Sequence, residues 1–478
     1  MRIRGWSGRL ALMAVCGCGA VTAWGQAPPA LLPEEVKVES RGIFKELIEI
    51  NTTNSVGNVT MAAEAMKARF LRAGFAEEDL PIVGANPKKM NLVVRLRGTG
   101  AKKPILVLCH LDVVEAERKD WTTDPFQFVE KDGFFYGRGT QDMKEADAIL
   151  VETLIRFKRE GYKPDRDIIL VLTAGEEGGG DNGVRWLVEN RKDLIDADFA
   201  LNPDSGPVLM KNGKATIVTV EAIEKSSANF EVTATNRGGH SSLPRPDNAI
   251  YALAAALGKV EHAPFPAELN TVTRPFFEKV AATEPADVAA DMRALLSTPM
   301  DAGAVERLSR DPFFNATLHT TCVATRLSGG HANNALPQTA TAVVNCRILP
   351  GHSADEVGKV LADAVGDPSV TVKQQVLAGA GVRKPMAAPP MREDVFGPLD
   401  KLSALFWPEA VVVPQMEPGG SDSTATAAAG IPSYGISGVE LDEDDNRMHG
   451  KDERLGVEAY FHGVAFYYAY LKALSGGS

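Results

Sequence analysis

Residue types that bind metal ions or transfer protons occur in four short clusters of this 478-residue sequence. The clusters are His110 with Asp112, Asp142 in a glycine-rich segment, the adjacent pair Glu176 and Glu177, and Asp204. An imidazole with several carboxylates suits Zn²⁺, and a carboxylate between two ions offsets their repulsion. A further carboxylate without a metal bond would take a proton from water and pass it to a leaving amine. The clusters therefore favour two-zinc hydrolysis of an amide bond.

Apolar segments that precede two of these clusters predict the elements that position them. Residues 104–110 (PILVLCH) and 167–173 (DIILVLT) are almost continuously apolar, which is typical of parallel strands buried on both faces. Between them, apolar residues recur at helical spacing from 146 to 157, and Gly161 ends the helix. This alternation predicts an α/β fold with a mixed, mostly parallel sheet flanked by helices. Sites in such sheets form beyond the carboxyl ends of the strands, so clusters distant in sequence can converge there.

The pattern changes between residues 214 and 379. Residues 228–235 and 341–349 alternate apolar and polar side chains, as half-exposed strands do, and helices are predicted near 248–260 and 354–364. We interpret 214–379 as an inserted α+β lid. The catalytic domain then comprises residues 35–213 and 380–478.

The first 25 residues resemble a secretory signal. Arg2, Arg4 and Arg9 precede an apolar run over 10–24 that is too short for a stable membrane span, and small residues follow it. This predicts export to the periplasm or the exterior, with a membrane anchor and a lipoprotein as alternatives. The formal net charge of -11 argues against a nucleic-acid partner.

The five cysteines do not form a zinc-ribbon pattern. Cys16 and Cys18 lie within the predicted signal. Cys322 and Cys346 could pair in an oxidising compartment, but we favour buried thiols in strands.

Ten short motifs occur in the order found in one family of zinc metallopeptidases. They are CHLDVV, W..DPF, YGRGTQDMK, GEEGGG, NPDSG, GGHSSLP, GG.ANNALP, CRILPG, GGSDS and MHGKDER. Over about residues 40–472 the chain resembles the family of aminoacylase, carboxypeptidase G, acetylornithine deacetylase and succinyl-diaminopimelate desuccinylase.

The resemblance implies a role for each site residue. His110 and Asp204 would bind one zinc ion, Glu177 and His449 the other, and Asp142 would bridge the two. Asp112 would orient His110, and Glu176 would be the general base and acid. Co²⁺ or Mn²⁺ would suit the same ligands.

The resemblance also assigns roles within the lid and a neighbouring loop. His240 would help to stabilise the oxyanion, and in many dimeric family members this histidine comes from the partner subunit. Asn334 and Arg347 would bind the substrate carboxylate, with Gly420 and Ser421 nearby. A guanidinium fork suits a carboxylate because it bonds both oxygens. The family also favours a homodimer formed through the lid, although some members are monomers.

We predict an exported carboxypeptidase or dipeptidase that acts on small peptides with a free C-terminal carboxylate. An N-acyl-amino-acid deacylase is the alternative, because the chemistry is the same. A non-catalytic binding protein on this fold is a third hypothesis. It predicts loss of metal ligands or of Glu176, and all of these residues are present.

Overall fold

The computed structural model describes residues 32–178, 180–375 and 389–476. The predicted signal, residues 1–25, lies outside the described residues. No helix within those three ranges is long and apolar enough to cross a membrane.

The helices of the described residues alternate with strands through most of the chain. The helices are α1 (Glu34–Glu49), α2 (Val59–Arg72), α3 (Lys144–Glu160), α4 (Gly183–Asn190), α5 (Lys192–Ile195), α6 (Ala249–Glu261), α7 (Thr273–Val280), α8 (Ala286–Leu295), α9 (Ala302–Leu308), α10 (Pro312–Leu318), α11 (Ala354–Val365), α12 (Glu393–Phe406), α13 (Ser423–Ala428) and α14 (Val457–Ser475). The strands are β1 (Ile82–Val83), β2 (Asn91–Leu96), β3 (Ile105–His110), β4 (Val129–Lys131), β5 (Phe134–Tyr136), β6 (Ile168–Thr173), β7 (Phe199–Leu201), β8 (Val208–Lys211), β9 (Lys214–Glu224), β10 (Ser226–Thr235), β11 (Gly239–His240), β12 (Thr321–Gly329), β13 (Ala335–Leu336), β14 (Thr339–Ile348), β15 (Val370–Gln375), β16 (Val411–Glu417), β17 (Ser433–Tyr434), β18 (Glu440–Asp442) and β19 (Arg454–Gly456).

The central sheet has the strand order β1-β2-β6-β3-β7-β17. Strands β6, β3, β7 and β17 run parallel, whereas β1 and β2 are antiparallel to their neighbours. Every residue of β3 and β6 is buried, because helices α1, α3 and α14 cover one face and α4 covers the other. The predicted mixed, mostly parallel sheet flanked by helices is confirmed.

A second sheet, with the order β16-β9-β8-β18, was not predicted. Strands β9 and β16 pair in parallel although almost 200 residues separate them. Helices α7 to α10 contribute to an apolar cluster with Ile217 of β9 and Val413 of β16. The range 214–379 therefore contains, besides the lid sheet, a strand and helices that pack with this second sheet.

The lid sheet has the order β12-β14-β10-β15, and helices α6 and α11 cover one of its faces. Antiparallel pairing places Cys322 of β12 directly opposite Cys346 of β14, and the two form a disulfide across a Cα–Cα distance of 4.1 Å. Our preference for two free thiols was wrong, because that preference ignored the strand pairing that brings the residues together.

Helix α3 carries a buried acid that makes folding pH-dependent. Glu152 is 0% exposed, and neither carboxylate oxygen has a hydrogen-bond partner among the described residues. Burial raises the pKa of Glu152 to about 8, although Arg156 opposes the shift. An unfolded glutamate has a pKa of about 4.3. Folding therefore takes up a proton between these values, and this group's contribution to stability falls as the pH rises through that window.

Glu152→Gln is expected to raise the melting temperature at pH 8 by about 3–6 °C, because the neutral amide needs no proton uptake. At pH 4 the variant and the wild type should melt within about one degree of each other, because Glu152 is then protonated in the folded chain and mostly protonated in the unfolded chain. Thermal denaturation at the two pH values measures this. The exposed Glu35→Gln is the control, and an equal change at both pH values would contradict the explanation.

Candidate metal centre

Three neighbouring parallel strands carry the predicted ligands to one edge of the central sheet. His110 is the last residue of β3 and lies opposite Thr173, the last residue of β6. Glu176 and Glu177 follow β6 after a turn at Gly175, whose φ of 76° favours glycine. Asp204 follows β7, which pairs with the other side of β3. The carboxyl ends of these strands therefore bring three of the clusters together, as predicted.

His110 lies between two carboxylates and is 2% exposed. Its Nε2 atom lies 3.0 Å from Asp142 Oδ1 and 3.5 Å from Asp204 Oδ1. Its Nδ1 atom lies 3.0 Å from the backbone carbonyl oxygen of Asp112, closer than the 3.9 Å to the Asp112 carboxylate. A proton on Nδ1 donated to that carbonyl leaves the Nε2 lone pair free to face a cation.

His449 completes the opposite side of the centre. Its Nε2 atom lies 2.9 Å from Asp142 Oδ2 and 3.0 Å from Glu177 Oε1. Asp142 thus presents one oxygen to His110 and the other to His449, as a bridging carboxylate would. The structure brings the five predicted metal ligands together, with Asp204 beside His110 and Glu177 beside His449.

A buried ion pair joins the two loops that supply Asp142 and His449. Arg138 donates to Glu453, whose other carboxylate oxygen accepts the backbone N–H of Gln141 at 2.7 Å. The Gln141 side chain accepts the backbone N–H of Arg447 at 2.9 Å. Because Arg138 is 2% exposed and Glu453 0%, water does not weaken this link.

The donor atoms fit divalent cations. The candidate ligand atoms of His110, Asp142 and Glu177 all lie within 4.8 Å of one another, and so do those of His110, Glu176 and Asp204. His110 Nε2 and Asp142 Oδ1 are buried and make no hydrogen bond to the described residues. Four carboxylates this close repel one another, and cations between them would remove that repulsion.

The Asp112 carboxylate holds the turn that carries both glutamates. Its two oxygens accept the backbone N–H groups of Glu176 at 3.3 Å and of Glu177 at 3.1 Å. Asp112 therefore contacts His110 through its carbonyl and the glutamate turn through its side chain. Burial raises the pKa of Glu176 to about 9, with smaller increases from Asp204 and other carboxylates opposed by His110. A cation in the centre would oppose this rise.

A cavity of about 180 Å³ is lined by Glu176 together with residues of the lid sheet and of α4. Arg347, Gly420 and Ser421, three of the predicted substrate-binding residues, line it. His240 and Asn334 are not among its lining residues. His240 is exposed in β11, where its Nδ1 lies 2.7 Å from Ser242 Oγ.

Several further residues of this cavity were not identified from the sequence. They are Asn182, Arg185, Lys225, Ser227, Asp422, Thr424 and Ala425. Asp422 is 4% exposed and accepts hydrogen bonds from Asn182 at 2.6 Å and Thr173 at 3.1 Å. The GGSDS motif contains Asp422, so this residue had a detectable signal. The other residues carry no sequence signal that would identify them as cavity residues without knowledge of the fold.

Glu224, at the end of β9, anchors the loop that contains Gly420 and Ser421. Its carboxylate accepts the Ser421 backbone N–H at 3.0 Å and hydrogen bonds from the Ser421 and Thr424 hydroxyl groups. Glu221 lies beside it, and its Oε2 is buried without a hydrogen-bond partner in the described chain. Three donors favour the charged form of Glu224, whereas burial raises the pKa of Glu221. We therefore assign the ionised state to Glu224 and the proton to Glu221.

Glu224→Gln is expected to raise KM about tenfold while kcat changes less, because hydrogen bonds to a charged acceptor are the stronger ones. Steady-state kinetics and thermal melting measure the variant. Glu221→Gln is the matched control and should behave as the wild type, since Gln resembles a protonated glutamate. Equal effects of the two substitutions would contradict the assignment.

Three comparisons with known proteins agree with this geometry. Residues 106–473 match the sequence profile of peptidase family M20/M25/M40. The chain is 28% identical over 379 residues to a probable carboxypeptidase S-like 2 of Dictyostelium discoideum, covering 77% of this chain and 71% of the relative. It is 29% identical over 383 residues to the N-fatty-acyl-amino acid synthase/hydrolase PM20D1 of Homo sapiens, covering 77% and 74%. The crystal structure of an M20 family metallo-carboxypeptidase, Sso-CP2 from Sulfolobus solfataricus, shares the fold, with a TM-score of 0.68, 15% identity and coverage of 91% and 99%.

Proposed function

Since this chain belongs to peptidase family M20/M25/M40 and is a hydrolase of amide bonds, we propose that it cleaves small peptides with a free C-terminal carboxylate. One observation carries this choice of substrate. Arg347 lines the same cavity as Glu176, and its guanidinium makes no hydrogen bond or salt bridge to the described residues. A free guanidinium beside the reactive carboxylate is placed to bind a substrate carboxylate.

We propose zinc as the metal of both sites. His110 and Asp204 would hold one ion, Glu177 and His449 the other, and Asp142 would bridge them. When bound, such ions polarise the scissile carbonyl and lower the pKa of water.

The residues of the chain would then carry the protons. Glu176 takes a proton from the attacking water while the water oxygen bonds to the carbonyl carbon. The C–N bond breaks, and Glu176 returns the proton to the departing nitrogen. The products are a carboxylic acid and an amine, and Glu176 is regenerated as the carboxylate.

A second candidate substrate is an N-acyl amino acid, which also ends in a free carboxylate. The relative PM20D1 favours it, because its name describes an N-fatty-acyl-amino acid synthase/hydrolase. The cavity does not suit a long acyl chain, because nine of its eleven lining residues have polar side chains. The exceptions are Gly420 and Ala425.

The test uses the zinc-loaded protein with three substrate sets: free dipeptides, the same dipeptides amidated at the C-terminus, and N-acyl amino acids. We expect cleavage of the free dipeptides alone. Arg347→Ala should raise KM about 100-fold for these, because a charged bidentate contact is lost. The exposed Arg293→Ala on α8 is the matched control. Preference for N-acyl amino acids would establish the second candidate, and no cleavage with both metals bound would refute the proposal.

We also propose that the protein is exported. The disulfide between Cys322 and Cys346 supports this, because such bonds persist in oxidising compartments. The N-terminal pattern of three arginines and a short apolar run supports it independently. Fractionation of the producing cell, with the N-terminus of the mature chain sequenced, tests the proposal.

We further propose a homodimer formed through the lid. β12 is an edge strand, and Val323 and Leu327 on it are 61% and 70% exposed. Pairing of β12 with β12 of a second chain would cover these side chains. Such a dimer agrees with the proposal that the exposed His240 acts in the site of the partner subunit. Light scattering should give twice the monomer mass, and Leu327→Lys should give the monomer.

A further inference from the structure

The cavity lined by Glu176 contains three basic side chains but only two that are free to bind a ligand. Lys225 is 2% exposed, and its ammonium group donates to the carbonyl oxygens of Ala316 at 2.9 Å and His319 at 2.7 Å and to Thr321 Oγ1 at 3.3 Å. Its three protons are therefore used within the protein. Its part is structural, since it ties the cavity wall to the end of α10.

Arg185 and Arg347 are the two free basic groups. Neither guanidinium makes a hydrogen bond or salt bridge to any residue in the described ranges, and both line the cavity. They approach from different walls, because Arg185 lies in the first turn of α4 and Arg347 lies on β14 of the lid. The cavity also contains Asp422, but hydrogen bonds from Asn182 and Thr173 already occupy this carboxylate.

The position of Arg185 is fixed by the turn that follows Glu176. Asn182 caps α4 by accepting the Arg185 backbone N–H at 2.9 Å, and its amide group donates to Asp422. The start of α4 is therefore held against the cavity wall. The side chain of Arg185 is exposed and lines the cavity, so it is accessible to a bound ligand.

We infer that Arg185 binds a second carboxylate of the substrate, so that the preferred leaving residue is aspartate or glutamate. This rests on the proposed function, in which Arg347 binds the α-carboxylate. Two unpaired guanidinium groups that line one cavity suit a ligand with two negative charges, since each can then form a charge-assisted pair. A substrate whose leaving residue has an amide or an apolar side chain would form no such pair with Arg185.

The substrates that test the inference differ only in that charge. Ala-Glu is compared with Ala-Gln, and Ala-Asp with Ala-Asn, by kcat/KM of the zinc-loaded protein. We expect the acidic member of each pair to be preferred about tenfold, a moderate value because Arg185 is solvent-exposed. Arg185→Gln should reduce the ratio to about one, because its loss of kcat/KM should be about tenfold larger for Ala-Glu than for Ala-Gln, and Arg185→Lys should restore part of the ratio. Arg191→Gln, at an exposed arginine paired with Asp193, is the matched control.

Two results would overturn the inference. One is an unchanged acid-to-amide ratio in Arg185→Gln. The other is an equal loss for Ala-Glu and Ala-Gln, which would mean that Arg185 joins Arg347 in binding the α-carboxylate.

Calorimetry with free glutamate and glutamine separates this inference from the proposed function, because it needs no turnover. Glutamate should bind about tenfold more tightly than glutamine, and Arg185→Gln should remove the difference. If glutamate bound more tightly than glutamine but no dipeptide were cleaved, the peptidase proposal alone would be refuted. Equal affinities together with normal cleavage would refute only the role of Arg185.

Discussion

Glu176→Gln is expected to lower kcat by about 10²- to 10⁴-fold, the usual contribution of a positioned general base, with KM almost unchanged. The amide keeps the shape of the side chain but cannot take a proton from water. The proposed substrate contacts at Arg347 and Ser421, which line the cavity, are left in place, so binding should persist. Steady-state kinetics with the best dipeptide of the panel measures both constants.

Metal content decides which role Glu176 has. Its carboxylate also lies within 4.8 Å of the ligand atoms of His110 and Asp204, so a role as a ligand is a geometric alternative. A proton-transfer role predicts two ions per chain in Glu176→Gln, whereas Glu177→Gln, the matched control, should lose metal. Near-normal turnover with both ions bound would exclude Glu176 as the base, and loss of one ion would make it a ligand.

The central part of the site could be predicted because its signals are local. The apolar runs of β3 and β6 identify buried parallel strands, and the ends of such strands meet at one sheet edge. His110, Glu176 and Glu177 immediately follow these runs. His449 is different, because only the family motif distinguishes it from a surface histidine.

The rest of the cavity could not be predicted because it depends on pairings between distant segments. β9 and β16 lie side by side only in the folded chain, and this pairing buries Glu221 and Glu224, which the sequence gives no reason to place in the interior. The same holds for Lys225, whose hydrogen bonds reach about 95 residues along the chain. Local periodicity carries no information on such contacts.

Asp142→Asn is expected to weaken binding of both metal ions by more than about 100-fold and to abolish measurable turnover, because in the proposed arrangement Asp142 bridges the two ions. Its two oxygens lie 3.0 Å from His110 Nε2 and 2.9 Å from His449 Nε2. An asparagine offers one carbonyl oxygen and an NH₂ group, and the latter cannot bind a cation. Metal analysis after dialysis measures the loss.

The thermal response to zinc provides a second readout for Asp142→Asn. Without metal, the variant should be no more stable than the wild type, because His110 and His449 hold the pKa of Asp142 below its usual range and so favour its charged form. With zinc, the wild type should gain far more stability than the variant. A metal ion stabilises the folded state by binding to it, and the variant is expected to bind zinc more weakly. Asp147→Asn, at a buried carboxyl group of the following helix α3, is the matched control and should retain both ions. If Asp142→Asn bound two ions per chain with wild-type affinity, Asp142 would not bridge the metals. The proposed division of the other four ligands between two sites would then be wrong as well.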